Sequence, residues 1–245
     1  MSISDVPDTS DWPVPLMLEL RNVSGGWGPT TIIENVTIEV GAGEVVAIVG
    51  RNGVGKTTTL ETIIGRARQR GGDIILAGKN ISRLGVYQRA LLGLGLVPQA
   101  REVFPSLSVR EHLQIAMRPG SWNAERILEL FPSLAKRMDS LGRQLSGGEQ
   151  QMLAIARVLA GNPKMILMDE PSEGLAPVVV EQLVAALRKV VAERALSILL
   201  VEQRIDIAAE LSSRCYIMDR GQVVRSCDSA LLRGNDDIVS KLVGL

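Results

Sequence analysis

The sequence predicts an α/β fold with a mixed sheet core, an antiparallel β subdomain and an inserted helical subdomain. Three observations carry this prediction. Short β-type runs come first, at 18–23, 31–40 and 44–49. From Lys56 onwards, helical and apolar β-type patterns alternate, which is typical of a sheet with crossover helices. Between the runs at 95–98 and 165–168 the patterns are helical, and we interpret about residues 101–161 as the inserted subdomain.

Start signals and spacing place the individual elements. Ser108 to Glu111 reads as a capping box that opens a helix, and helical patterns continue from Trp122 through Met138 to Ala160. Lys56 begins a helix after the run 44–49. The second half is predicted to contain a strand at 165–168, a helix at 178–193, strands at 197–201, 214–218 and 222–225, and a final helix.

Composition limits the classes of function. The 245 residues allow one large domain, predicted at 16–245 behind a loose N-terminal tail at 1–15 that is rich in Pro, Ser and Asp. Lys plus Arg and Asp plus Glu both number 27, so no overall charge attracts nucleic acid or anionic lipid. Cys215 and Cys227 lack the spacing of a zinc site or a disulfide framework.

No apolar run approaches the roughly 18 residues that a membrane-spanning helix needs. The start of the chain also lacks the charged and apolar regions of an export signal. We therefore expect a chain that stays in the cytoplasm and does not itself cross the bilayer.

A phosphate-binding loop follows the strand at 44–49. Residues 50–57 read GRNGVGKT, which fits GxxxxGK[ST] with a strand before it and a helix after it. The loop's glycines allow backbone N–H groups to converge on phosphate, while Lys56 reaches the β- and γ-phosphates and Thr57 offers a hydroxyl to Mg²⁺. The motif alone leaves kinases, GTPases and other ATPases open. The predicted nucleotide contacts in the loop are Gly50, Asn52, Gly53, Gly55, Lys56, Thr57 and Thr58.

Two carboxylates end the apolar strand at 165–168. Asp169 and Glu170 follow it at the carboxyl edge of the predicted sheet, where ligands bind in open α/β folds. Asp169 is suited to holding Mg²⁺, and Glu170 to polarising the attacking water as a general base. The alternative, a pair of solvated acids at a strand end, is disfavoured by the phosphate-binding loop upstream.

The segment LSGGEQQ at 145–151 narrows the class. Ser146, Gly147 and Gly148 place a hydroxyl and unobstructed N–H groups at a helix N-terminus, which is an anion site. A phosphate-binding loop, this segment and an apolar run ending in Asp-Glu, in that order, resemble the ABC ATPase family. The resemblance covers most of the chain and implies the P-loop NTPase fold of ABC ATPase type, with ATP and Mg²⁺ as cofactors.

The resemblance implies further roles. Gln99 occupies the place of the family's Q-loop glutamine, a Mg²⁺ and water contact that also communicates with the membrane subunit. Trp27 lies where the family has an aromatic that stacks on adenine; a packed core tryptophan is the alternative. The segment at 145–151 resembles the family's signature, which covers ATP held by a second subunit, so the resemblance implies a dimer.

Two positions depart from the family pattern. Gln203 stands where the family has a histidine that contacts the γ-phosphate; its amide can donate to phosphate but cannot titrate. The single histidine, His112, is expected to be a partly exposed helix residue. Ala176 stands where many relatives have Asp. Together with the tract 99–105, these departures resemble the LivF-type branch, which serves branched-chain amino-acid importers, and its relatives for urea or short-chain amides.

We therefore predict the ATPase of an importer at the cytoplasmic face of the plasma membrane, with Lys56, Glu170 and Gln203 as catalytic residues and Thr57, Gln99 and Asp169 as Mg²⁺ ligands. The expected partners are two integral membrane permeases, a second ABC ATPase in a heterodimer or homodimer, and indirectly a substrate-binding protein, without nucleic acid. One alternative is a soluble ABC ATPase acting on nucleic acid through residues 66–70, which we interpret instead as a solvated loop. The other is a regulator that does not hydrolyse ATP.

Overall fold

The computed structural model describes residues 15–232. The predicted tail, apart from Pro15, and the predicted final helix lie outside the described residues. Ten strands are described: β1 (Leu16–Trp27), β2 (Thr30–Gly41), β3 (Val45–Val49), β4 (Arg68–Leu76), β5 (Lys79–Asn80), β6 (Leu94–Val97), β7 (Met165–Asp169), β8 (Ser197–Glu202), β9 (Arg214–Asp219) and β10 (Gln222–Asp228). The helices are α1 (Lys56–Ile64), α2 (Val86–Leu91), α3 (Val109–Ala116), α4 (Ala124–Leu130), α5 (Pro132–Ala135), α6 (Gly147–Ala160), α7 (Pro177–Ala192) and α8 (Ile205–Leu211).

Four strands form an antiparallel sheet in the order β2-β1-β4-β5. Its inner face packs on α1 and on β3 through apolar side chains such as Leu20, Ile38 and Ile74, all fully buried. The basic stretch at 66–70, expected to be a solvated loop, instead runs into β4, where Arg68 pairs with Gly26. The arginines are exposed, as expected, but the loop assignment was wrong because the strand partner lies about forty residues upstream and leaves no local signal.

Six strands form the core sheet in the order β10-β9-β3-β8-β7-β6, with only β10 antiparallel to its neighbour. All residues of β3, β7 and β8 are buried. Helices and the antiparallel sheet cover both faces, which explains why these strands read as continuous apolar runs. The predicted mixed-sheet α/β fold is confirmed.

The parallel strands β3, β6, β7 and β8 end at one edge of the core sheet. The loop after β3, Gln99 after β6, Asp169 and Glu170 at the end of β7, and Glu202 at the end of β8 therefore share that edge. Ligands bind at this edge of open α/β sheets.

Helices α3 to α6 occupy the chain between β6 and β7. Helices α3 to α5 pack around α6, with Leu113, Ile127 and Phe131 buried. The Ser108 capping box is present: the Ser108 N–H and hydroxyl donate to Glu111 Oε2, at 2.7 and 2.8 Å. His112 is fully buried, so its predicted partial exposure was wrong. Its Nε2 accepts from Phe104 N at 3.0 Å, and its Nδ1 lies 2.7 Å from Ser108 O.

Among the described residues 15–232, no helix is both long and apolar enough to cross a bilayer.

Candidate functional site

The loop between β3 and α1 has the geometry of a phosphate cradle. Gly53 and Gly55 adopt φ angles of 80° and 112°, a left-handed region that glycine enters without strain. A β-carbon at Gly50 would lie 2.4 Å from Met218 O, so glycine lets the loop pass close to β9. The loop, a P-loop, borders a cavity of about 250 Å³, here called the P-loop cavity. The cavity is lined by Ile32, Asn52, Gly53, Gly55, Lys56, Thr57, Thr58, Gln99 and Glu170.

Lys56 and Glu170 form a buried ion pair beside this cavity. The distance from Lys56 Nζ to Glu170 Oε1 is 3.1 Å, and only 4% and 7% of the two side chains are exposed. Lys56 Nζ also donates to the carbonyl oxygens of Gly50 and Arg51, at 2.9 and 3.1 Å, so the ammonium has two hydrogen-bond acceptors besides its ion pair. A charged pair this buried needs such partners to offset desolvation. Lys56 is thereby held with its ammonium at the cavity wall.

The backbone aims Glu170 into the site. Glu170 has a φ of 44°, which is uncommon for a residue with a β-carbon, and its N–H donates to Val201 O at 2.9 Å. This anchor to β8 fixes the turn that leaves β7. Strained backbone of this kind clusters at functional sites in proteins.

Oxygen and amide groups suited to Mg²⁺ lie next to the cradle. Thr57 Oγ1 donates to Asp169 Oδ1 at 3.1 Å, and the Gln99 amide, which also lines the cavity, donates to the Glu173 carboxylate. Hydroxyl, carboxylate and amide oxygens are hard ligands of the kind Mg²⁺ prefers. The residues present therefore fit a magnesium site.

Two buried carboxyl groups at this edge have raised pKa values. Burial is the main cause that raises the pKa of Asp169 to about 6, against the lowering effect of its hydrogen bond from Thr57. Burial likewise raises the pKa of Glu202 to about 7, although Glu202 Oε1 accepts from Ser172 N at 3.2 Å. Nearby Glu170 adds to both shifts. The edge therefore accumulates negative charge in a poorly hydrated setting, which favours a bound cation.

The predicted signature residues lie at the start of α6 and do not line the cavity. Ser146 caps α6, and its hydroxyl accepts from Glu149 N at 3.3 Å and donates to Glu149 Oε2 at 2.9 Å. A β-carbon at Gly148 would lie 2.5 Å from Val179 Cγ1, so glycine allows α6 to approach α7. None of Ser146, Gly147 and Gly148 is among the described residues that line the P-loop cavity.

Trp27 and Gln203 are also apart from the cavity lining. Trp27 ends β1 with 47% of its surface exposed, so it is not a packed core residue, and its adenine contact stays a prediction. Gln203 follows β8 and is exposed. The structure thus brings together the loop, Gln99, Asp169 and Glu170, and it does not place the signature, Trp27 or Gln203 in the lining of the cavity.

Sequence reasoning missed Glu202 and Glu173. A glutamate that ends an apolar strand directly before Gln203 was a visible signal for Glu202, but only packing shows that it is 1% exposed. Nothing in the sequence indicated that Glu173 would accept a hydrogen bond from Gln99.

Comparisons with known proteins decide the family. A sequence profile described as ABC transporter matches residues 33–173, which span the phosphate-binding loop, the signature and the two carboxylates. The chain belongs to the ABC transporter family. As an ABC ATPase, it binds nucleotide and couples ATP hydrolysis to transport.

Curated relatives of this ABC ATPase serve different transporters. It is 34% identical to the high-affinity branched-chain amino acid transport ATP-binding protein BraG of Pseudomonas aeruginosa, over 93% of this chain and 100% of that protein. It is 32% identical to the lipopolysaccharide export system ATP-binding protein LptB of Haemophilus influenzae, over 85% of this chain and 89% of that protein. The family resemblance is confirmed, and the transported substrate stays a prediction.

Solved structures agree with the fold of this ABC ATPase. It is similar to the ADP conformation of an ATP-binding cassette of an ABC transporter, with a TM-score of 0.79 and 26% identity over 94% of this chain and 97% of the other. It is also similar to a dimeric post-hydrolysis ATP-binding cassette bound to ADP and Pi, with a TM-score of 0.76 and 28% identity over 89% and 100% of the two chains.

Proposed function

We propose that this ABC ATPase hydrolyses ATP, with Mg²⁺, to energise uptake of branched-chain or other hydrophobic amino acids. The observation that carries the chemistry is one cluster at the cavity: the buried ion pair of Lys56 and Glu170 and, next to it, the Thr57 hydroxyl that donates to Asp169. The importer role is supported by the relatives named for branched-chain amino acid transport, in P. aeruginosa and in Archaeoglobus fulgidus, each 34% identical.

Each cluster residue has a separate role in the proposed reaction. Lys56 neutralises charge on the β- and γ-phosphates, and Glu170 accepts a proton from the attacking water. Thr57, Asp169 and Gln99 would hold Mg²⁺, which when bound would offset the negative charge of the phosphates. Gln203 donates to the γ-phosphate. P-loop catalysis of this kind depends on positioning and on charge stabilisation.

The signature acts on nucleotide held by a second ATPase subunit. Ser146, Gly147 and Gly148 are apart from the cavity of their own chain, as expected for groups that serve an opposing site. The relative solved as a dimer with ADP and Pi supports pairing. We propose a pair with a different, histidine-bearing ATPase; two copies of this chain are the alternative.

A patch of exposed apolar side chains on α2 and on the loop after β6 is suited to the permease. Tyr87, Leu91 and Phe104 are large apolar residues with 73%, 65% and 50% of their surfaces exposed. Arg89 ties α2 to the last turn of α1 through the carbonyl of Ile63, and Arg66 after α1 lies 3.7 Å from Glu102. Both parts of the patch therefore adjoin the end of α1. We propose that this patch binds a permease at the cytoplasmic face of the membrane. The complex would contain two permeases and engage a substrate-binding protein indirectly.

Radiolabelled uptake by cells tests the proposed cargo. Deleting the gene is expected to abolish high-affinity leucine uptake, and the wild-type gene to restore it, whereas Lys56→Ala is not. Arg188→Ala, at an exposed arginine of α7 paired with Glu210 at 2.8 Å, is the control that restores uptake fully.

Other outcomes of the same experiment assign the other cargoes. Loss of urea or short-chain amide uptake with normal leucine uptake assigns the alternative importer. Normal uptake of all three with defective lipopolysaccharide delivery contradicts an importer and favours the role named for the LptB relatives.

A further inference from the structure

Arg101 lies against the signature of its own chain. Its Nη1 is 2.8 Å from the position that a β-carbon on Gly147 would take, and its Nη2 is 3.7 Å from the corresponding position at Gly174. The guanidinium therefore lies between the first residue of α6 and the loop that follows the two carboxylates.

Helix α6 itself holds this arrangement in place. Arg157, nearly three turns from the end of α6 that carries Gly147, donates from Nη1 to Glu102 O at 2.8 Å. Its guanidinium also lies over the Phe104 ring, 5.4 Å from the ring centre. The loop that carries Arg101 is thus tied to the signature helix at two points.

The Arg101 guanidinium is a positive charge next to the N-terminus of α6. Arg101 is partly buried, and among residues 15–232 its guanidinium has no hydrogen-bond or ion-pair partner. The positive N-terminal end of a helix disfavours a neighbouring cation. Glu149 in the first turn is already engaged by Ser146 N at 2.8 Å and by Arg137 Nε at 3.2 Å. The neighbouring Glu102 pairs with Arg66 instead. A bound anion would relieve this convergence of positive charge.

We propose that Arg101 binds the γ-phosphate of the nucleotide held by the P-loop of the opposing ATPase subunit. The inference rests on the proposed function, because it needs the signature to face that nucleotide. It adds a residue outside the signature motif: a planar guanidinium with donors that match phosphate oxygens, placed against Gly147, the first residue of α6. Arg101 is not among the described residues lining the cavity of its own P-loop, so it acts only across the pair.

The test uses Arg101→Met, which keeps a long apolar stem and removes the charge, and Arg101→Lys, which keeps a point charge. Arg188→Met, at the ion-paired α7 arginine, changes the net charge equally away from the signature. Each variant is purified from its host membranes, by a tag on this chain, together with the subunits that accompany it. Two quantities are measured on the complex: kcat for ATP, and retention of the non-hydrolysable analogue AMP-PNP after rapid gel filtration.

Arg101→Met is expected to lower kcat by about a hundredfold or more, in line with other arginines that contact a transferring phosphoryl group. It is also expected to lose AMP-PNP retention, while Arg101→Lys keeps part of both and Arg188→Met keeps all. The isolated chain should bind ADP with the same affinity in all three variants and the wild type, because Arg101 is outside the cradle. This last measurement separates a phosphate contact from general damage to the fold.

Wild-type kcat and AMP-PNP retention in Arg101→Met would overturn the inference. So would equal losses in Arg101→Met and Arg101→Lys with weakened ADP binding to the isolated chain, which would assign Arg101 a packing role. Failure of the proposed function is distinguishable: the wild-type complex would then retain no AMP-PNP at all, and the inference would fall with it.

Discussion

The P-loop cavity and the signature differ in how far one chain completes them. At the cavity, Lys56 is matched by three oxygen atoms and Thr57 by Asp169. At the signature, the cap of α6 is satisfied by Glu149, but Arg101 brings a cation to the helix N-terminus and forms no ion pair with the described residues. The first region is a site that one chain builds. The second has the character of half a site, whose other half belongs to another subunit.

This contrast sorts substitutions into two kinds. Changes at the cavity are expected to act on nucleotide binding or on the chemical step in the chain's own site. Changes at the signature are expected to leave nucleotide binding to the isolated chain intact and to reduce turnover of the assembled pair.

Glu170→Gln should reduce ATP turnover by about 10²–10⁴-fold, because the amide cannot accept the proton of the attacking water. ATP binding and ATP-driven pairing should persist, since Lys56 keeps two backbone acceptors. Steady-state phosphate release and gel filtration with ATP measure the two effects. Turnover at the wild-type rate would show that Glu170 is not the base. Glu181→Gln on α7 is the control and should change neither.

Gly148→Ala should lower the kcat of the pair by about 10–100-fold, because the new methyl group would meet Val179 and shift the signature helix. ADP affinity of the isolated chain should stay unchanged. The double variant Gly148→Ala with Val179→Ala removes the clashing Cγ1 atom and should recover most of the activity. Weakened ADP binding in the single variant would contradict the separation of the two regions.

Gln203→Ala should lower kcat by less than about tenfold, since it removes one hydrogen bond to phosphate and no proton acceptor. Gln203→His should keep kcat near the wild-type value, and it should make kcat depend on pH near 6.5, where histidine titrates. The pH–rate profile measures both. A loss as large as that of Glu170→Gln would instead make Gln203 a principal catalytic group.

Glu202→Gln should change stability more than activity. A buried acid whose pKa is raised to about 7 binds its proton more tightly in the folded state, so the free energy of unfolding falls as pH rises from about 4.5 to 7. The amide removes this loss and keeps an acceptor for Ser172 N, which should stabilise the protein by about 1–3 kcal/mol at pH 8 and not below pH 4.5.

Urea denaturation across this pH range measures the effect of Glu202→Gln, with the surface variant Glu210→Gln as the control. A pH dependence of unfolding that is the same in Glu202→Gln and in the wild type would show that Glu202 does not titrate as its burial implies.

Sequence patterns predicted the parts of the site that are local in the chain. The glycines and Lys56 follow β3 within eight residues, the two carboxylates lie at the end of β7, and the Ser146 cap is set by its own neighbour Glu149. Each motif carries its geometry because a strand end, a tight turn or a helix start fixes the backbone around it.

Burial and partnership across the fold could not be predicted in this way. His112 was expected to be partly exposed, yet it is fully buried and accepts a hydrogen bond from Phe104 N. The stretch at 66–70 was expected to be a loop, yet Arg68 begins a strand whose partner is β1.

The sequence by itself therefore determined the fold class, the order of the motifs and the ATPase chemistry, because these depend on residues close together in the chain. Only the tertiary structure decided that Glu202 is buried beside Glu170 and that Arg101 lies on Gly147, forty-six residues away. Desolvation and charge convergence depend on what packs around a group, and packing joins segments that the linear sequence keeps apart.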